Sequence, residues 1–189
     1  MTDDVDVDRW RRELDAKRAE KDEFFAEHPQ SPIPPDERED FSGLSYFEPD
    51  PDYRVSATVT VHDEPDVVRM GTTAGGEMRY RRFGTLSFAV PDAAGDERDC
   101  ELGGYRQEGA DEETLFVPFR DKTTGQQSYD GGRYMELAAD RQLEPGDEIV
   151  LDFNLAYTPF CAYSETFDCP LPPEENWLEV AIPAGERRD

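Results

Sequence analysis

From Tyr53 onward the chain alternates apolar and polar residues, and no stretch of helical spacing interrupts the pattern. Such alternation sends successive side chains to opposite faces of a strand, so that one face can be buried while the other stays wet. Val55, Ala57, Val59 and Val61 alternate with Ser56, Thr58 and Thr60; Met78 and Tyr80 alternate with Arg79 and Arg81; Leu86, Phe88 and Val90 alternate with Thr85, Ser87 and Ala89. Further strands are predicted over 115–119, 133–138 and 148–155. Turn-forming residues separate them, at 74–76, 91–96, 122–125, 130–132 and 144–147, as expected of strands that follow one another as hairpins. Parallel pairing needs a crossover between strands, usually a helix, and none is available here. The predicted fold is mainly β: an antiparallel β-barrel or sandwich of about seven to nine strands, with one N-terminal α-helix.

That helix is predicted over 8–26, where Trp10, Leu14 and Phe25 fall near one face and Asp8–Arg12 and Glu13–Lys17 are favourable pairs four apart. His28 precedes Pro29, and a residue before proline is pushed out of the helical region, which stops the helix. With few apolar residues it reads as an arm lying on the main body. A proline-rich connector, QSPIPPDERED, follows, and the hydrophobic FSGLSYF is expected to pin it down. The expected division is a helical arm over 1–28, a connector over 29–52 and a β domain over 53–189, since 189 residues leave no room for a second full domain. The closing LEVAIPAG is expected to return as a strand.

The formal charge is −25, from 45 acidic and 20 basic residues, yet aromatic residues make up 11% of the chain. A disordered acidic tail would lack those aromatics, so the acids are read as the coat of a folded protein. Only Lys17, Lys21 and Lys122 are lysines. Acid-rich, lysine-poor surfaces suit molar salt, where repulsion between carboxylates is screened within a Debye length of about 3 Å, and a halophilic source is expected. In dilute salt the chain offers few cations to displace phosphate counterions, so neither nucleic acid nor a membrane is expected as a partner. No apolar run approaches the roughly 20 residues that span a bilayer, and the opening MTDDVDVD is acidic where a signal peptide is basic, which points to a cytoplasmic protein.

Beyond Leu155 the alternation gives way to AYTPFCAYSETFDCPLPPEENW, whose prolines forbid a central strand. A long aromatic loop of this kind, over 156–176, is either a packed cover on one end of the core or a functional loop. Cys161 and Cys169 lie within it at a spacing that fits no usual zinc half-site. With Cys100 they make an odd number, which argues against a disulfide framework; buried, inert thiols are expected, with no metal and no cofactor. His28 and His62, the two histidines, stand at a helix stop and a strand end, where both look exposed. No G-x-S-x-G, P-loop or G-x-G-x-x-G motif is present.

Six blocks occur in order: SPIPP with FSGLSYF (31–47), LFVPFRDKTTG (115–125), GGRYMEL (131–137), DFNLAYTPFCAYS (152–164), CPLPPEEN (169–176) and AIPAGER (181–187). Together they resemble the domain-of-unknown-function family 1684, found in halophilic archaea and several bacterial groups. The likeness covers nearly the whole chain after the helix. That family has no settled activity, so the resemblance implies only that Arg120, Asp121, Arg133, Tyr134, Asp152, Asn154, Tyr157, Cys161, Tyr163, Cys169 and Asn176 fall in its motif blocks.

On the strand predicted over 148–155, Ile149, Leu151, Phe153 and Leu155 form the apolar face and leave Asp152 and Asn154 adjacent on the other. In a barrel that face could line a polar mouth with Arg120, Arg133, Tyr134 and Tyr157 nearby and Tyr163 in the covering loop. A guanidinium fork flanked by Tyr and Asn suits a carboxylate or phosphate. Asp121 precedes a Thr-Thr-Gly turn and is read as turn chemistry. Three functions stay open: a domain that binds a small polar or anionic molecule in a pocket under the 156–176 loop, an enzyme of unassigned class using Asp152, Asn154 and Arg133, and a structural or interaction protein without a ligand. The first two need Asp152, Asn154, Arg133 and at least one of Tyr134, Tyr157 and Tyr163 to converge on one partly buried pocket, whereas the third scatters them.

Overall fold

The alternating segments become seven strands in the computed structural model, which describes residues 6–107, 114–138 and 143–188. They are β1 (Arg54–Val61), β2 (Val67–Gly71), β3 (Glu77–Pro91), β4 (Glu97–Gln107), β5 (Thr114–Phe119), β6 (Arg133–Ala138) and β7 (Glu148–Asp152). All pair antiparallel in the order β6-β5-β4-β3-β1-β7, with β2 also beside β3, and the sheet curls into a half-barrel.

The spine is β3, 15 residues long. One of its edges carries β4 along most of its length; the other is shared, with β2 taking 77–81 and β1 taking 84–87. Where one neighbour hands over to the other the register with β4 shifts between Arg82 and Gly84, and such a bulge increases local twist and bends the strand. Glycine is required at that point, because a Cβ on Gly84 would stand 2.7 Å from the Thr60 carbonyl oxygen.

The apolar faces read from the sequence meet in one core. Ala57 and Val59 of β1, Leu86, Phe88 and Val90 of β3, Leu102 of β4, Leu115, Val117 and Phe119 of β5, Met135 of β6 and Leu151 of β7 are all buried there, with Phe153 beyond β7. A smaller cluster, Met70, Tyr80 and Tyr105, packs with Val68, Met78 and Phe116.

Two expectations are corrected. Strands β6 and β7 do not form a hairpin but stand at opposite edges of the sheet, and β7 pairs with β1 from Arg54–Asp152 to Thr58–Glu148. Ahead of β7 the buried Leu143 joins the core and the expected turn over 144–147 forms, with Asp147 N donating to Glu144 O at 3.1 Å. The closing segment is extended, with Leu178, Val180, Ile182 and Ala184 buried, yet it forms no strand. Pro183 has no N–H for a ladder, and side chains replace the missing neighbour: Asp121 accepts from Ile182 N at 2.6 Å while Arg133 donates to Ile182 O at 2.8 Å.

Helix α1 (Val7–Glu27) begins at Asp6, whose carboxylate accepts from Arg9 N, and ends at His28, whose ring stacks on Phe24. Its buried Trp10, Leu14 and Phe25 lie on the body of the protein: Phe25 meets the rings of Phe160 and Tyr163 edge-on, and Lys21 pairs with Glu186 at 2.9 Å. The connector is pinned through FSGLSYF, where Phe47 N donates to Gly185 O and Tyr46 pairs with Glu186. Among the described residues no helix is long and apolar enough to cross a membrane.

Candidate functional site

Asp152, Asn154 and Arg133 were expected around one pocket, and the structure uses each to tie the chain to itself. Strand β7 ends at Asp152, which caps a 3-10 turn over Phe153–Leu155, so Asn154 leaves the strand and turns inward. Its amide oxygen accepts from Asp50 N at 2.9 Å and its amide nitrogen donates to Asp50 O at 2.8 Å and to Asp152 Oδ1 at 2.9 Å. The other oxygen of Asp152 accepts from the Trp10 indole at 2.8 Å. Asp152 and Asn154 are therefore covered by the helix and the connector, which local alternation cannot reveal, while Val150 on the same face of β7 stays exposed.

Arg133, at the start of β6, is completely buried. It donates to the carbonyl oxygens of Ile182, Ala184 and Glu186 and to Asp121 Oδ2 at 3.4 Å. Burial lowers its pKa while Asp121 and Glu186 oppose that shift. Asp121 also accepts from the hydroxyls of Thr123 and Thr124. Arg120 lies elsewhere, with its guanidinium 5.0 Å from the Trp177 ring centre and its backbone held by Asn176 and Leu178.

Tyr134 and Tyr157 do come together. They pair through their backbones and meet edge-on, with ring centres 5.8 Å apart. Tyr134 meets Phe116 at 4.7 Å, and Phe116 stacks on Tyr80 at 5.4 Å, so an unbroken line of rings crosses from β3 to the segment after β7. These rings, with Tyr105, Arg106, Glu136 and Pro170, border a groove of about 290 Å³. Three hydroxyls along it are directed: Tyr157 donates to Glu136 at 2.9 Å, Tyr134 to the Pro170 carbonyl and Tyr105 to Glu175, which also accepts from Arg82. Burial raises the pKa of Tyr80, Tyr105, Tyr134 and Tyr157, so all four stay protonated at neutral pH. The Arg106 guanidinium lies 3.8 Å from the Phe83 ring centre, and its Nε is buried without a hydrogen-bond partner.

Tyr163 belongs to a different cavity, of about 480 Å³, between the connector and the 156–176 loop, which Phe41, Leu44, Tyr129, Thr158 and Arg187 also line. Behind it sits Glu186, a residue outside the expected site: its Oε2 accepts from Lys21 and from Thr158 N, and burial raises its pKa. Nothing in the pattern of AIPAGER distinguishes that carboxylate from the many on the surface. Asn176, fully buried, grips Gly103 through both its N–H and its carbonyl and donates to Pro118 O at 2.7 Å.

Cys100, Cys161 and Cys169 are free thiols, and all three are partly exposed instead of buried. Neither cavity is lined by Arg133, Asp152 or Asn154, so convergence on one pocket is replaced by two tyrosines in a groove, one tyrosine in a separate cavity, and polar side chains that bind backbone.

The chain resembles the solution NMR structure of an uncharacterized protein from Haloarcula marismortui, with 64% sequence identity over 99% of this chain and 98% of that one and a TM-score of 0.73. It has no match among curated proteins. Residues 39–187 match the family described as "Protein of unknown function (DUF1684)", and the chain belongs to that family.

Proposed function

We propose that the half-barrel is a binding domain that takes a small polar or anionic molecule in the tyrosine groove. The observation that carries this reading is the line of rings Tyr80, Phe116, Tyr134 and Tyr157, closed at one end by Pro170 of the covering loop. Aromatic rings with fixed hydroxyls offer a flat apolar wall to a ligand's face and leave its polar edge to neighbouring groups. Arg106 borders the groove and supplies a guanidinium for an anionic edge. At about 290 Å³ the groove suits a molecule at the small end of the usual ligand range. The alternative of an enzyme working through Asp152, Asn154 and Arg133 lacks support, because the hydrogen bonds of those side chains go to the chain's own groups.

A thermal-shift screen of small polar metabolites in molar KCl tests the proposal, since a ligand at 100 times its dissociation constant adds about 2.7 kcal/mol of stability. The expected hit raises the melting temperature of the native chain and fails to do so for Arg106→Ala and for Phe116→Ala. A screen without hits, or a hit whose effect survives both substitutions, would reject the groove as the site.

A further inference from the structure

The first half of β4 is paired along one edge only. Its register with β3 runs unbroken from Glu97 to Gly104, whereas its pairing with β5 is confined to Tyr105–Phe116. In an antiparallel ladder the backbone groups of successive residues point to opposite sides. Gly103 turns its N–H and carbonyl away from β3, where the side-chain amide of Asn176 binds both. Glu101 and Asp99, in the same register, turn theirs the same way, and among the described residues no backbone group receives them. An amide is thus already docked on this edge at Gly103, while the next two positions are open. They face a groove of about 770 Å³ whose far wall is the 177–181 segment. Cys100, Leu178 and Val180 line the groove and pack on the core, while Asp99, Glu101 and Glu179 are exposed along it. The two cations beside it are taken, Arg98 by Asp92 at 2.8 Å and Lys122 by Glu179 at 2.7 Å. Asp99 and Glu101 are left without a cation among the described residues. A second copy paired through this edge would set Glu97, Asp99 and Glu101 against like charges, so the edge rejects itself.

We propose that the free edge of β4 at Asp99 and Glu101 docks an extended basic segment of another protein, which adds a strand to the sheet between β4 and the 177–181 segment. Each docked residue opposite Asp99 or Glu101 exchanges two backbone hydrogen bonds with the edge and sends its side chain to the outer face, beside those carboxylates. The residue between them faces inward, onto Cys100, Leu178 and Val180. Lysine or arginine therefore fits the outer positions and a small apolar residue such as valine the inner one, and this alternation fixes the partner's register. The tyrosine groove takes no part in the docking.

The test titrates the full chain in molar KCl with the acetylated and amidated peptide Lys-Val-Lys-Val-Lys. Molar salt shortens the Debye length to about 3 Å, which screens the general attraction of a chain of charge −25 for any cation. Saturable binding is expected in the fluorescence of Trp177, which lines the groove, with amide hydrogen exchange at Asp99 and Glu101 slowed at least about tenfold. The same peptide N-methylated on the backbone nitrogens of its lysines, and the reordered Lys-Lys-Val-Val-Lys, should each bind at least about tenfold more weakly. Asp99→Lys combined with Glu101→Lys, two exposed positions that leave the fold intact, should lose the basic peptide and gain Glu-Val-Glu-Val-Glu. Absence of saturation, equal binding of the three basic peptides, protection at β6 or β7 in place of β4, or an unchanged preference in the charge-reversed variant would each overturn the proposal. Protection of Asp99 and Glu101 that grows with protein concentration without peptide would also overturn it, by showing a second copy on the edge.

Discussion

Asn154 and Asn176 hold distant segments with the same fork. In each, the amide oxygen accepts a backbone N–H while the amide nitrogen donates to the carbonyl of that same residue, Asp50 in one case and Gly103 in the other. A side-chain amide is chemically a peptide group, so one buried residue does the work of a short strand pair. Leaving a buried donor or acceptor unpaired costs about 1–3 kcal/mol, and Asn154→Ala strands both groups of Asp50. Asn154→Ala is therefore expected to lose about 2–4 kcal/mol in urea unfolding in molar KCl while leaving any ligand in the tyrosine groove bound. A variant that unfolds like the parent would show that the fork carries no stability.

Helix α1 is held through charged and polar groups as much as through its three buried apolar side chains, and Glu186 is the group most exposed to pH. Its folded pKa is raised by burial above the ordinary value of 4.5. The folded state then binds the proton more tightly than the unfolded state, so this stabilising contribution is complete below pH 4.5 and is lost as pH rises through the higher folded value. Relative to the parent, Glu186→Gln is expected to become progressively more stable as pH rises above 4.5, measured as the difference between their urea midpoints, which cancels the titration of other acids. A difference independent of pH would show that burial does not perturb this carboxyl. The helix and the apolar faces of the strands were legible because each depends on spacing within about ten residues. The polar face of β7 was also assigned correctly at Asp152, but its cover, Trp10 and the connector, comes from more than a hundred residues away, and spacing carries no such information. For the same reason the pairing of β7 with β1 instead of β6, and the use of Arg133 in place of a neighbouring strand, were out of reach. Tyr134 and Tyr157 were named together from the motif blocks, and they do meet; Tyr80 and Phe116, which border the same groove, read as ordinary strand residues, and Tyr105 and Arg106 lay outside the strands read from the sequence.

At the scale of the whole molecule, the 45 acids outnumber the 20 basic residues so heavily that the described ion pairs neutralise only a fraction of the charge. The remaining carboxylates repel one another over a Debye length that grows from about 3 Å in molar salt to about 30 Å in 0.01 M salt. Moving the protein from molar to dilute KCl is expected to lower its urea midpoint, and equal midpoints in the two conditions would show that the fold tolerates its own charge.

Arg133 is synthesised about fifty residues before the carbonyls of Ile182, Ala184 and Glu186 that satisfy it. Until those residues leave the ribosome, closing the core around β6 would bury a guanidinium with Asp121 as its partner, and an incompletely compensated charge of that kind costs several kcal/mol. The nascent half-barrel thus has a built-in reason to wait: its core becomes worth closing only after translation has passed Glu186. A chain cut after Ala181 is expected to show no cooperative thermal transition in molar KCl, and a sharp transition in that fragment would mean that the sheet folds without its final segment.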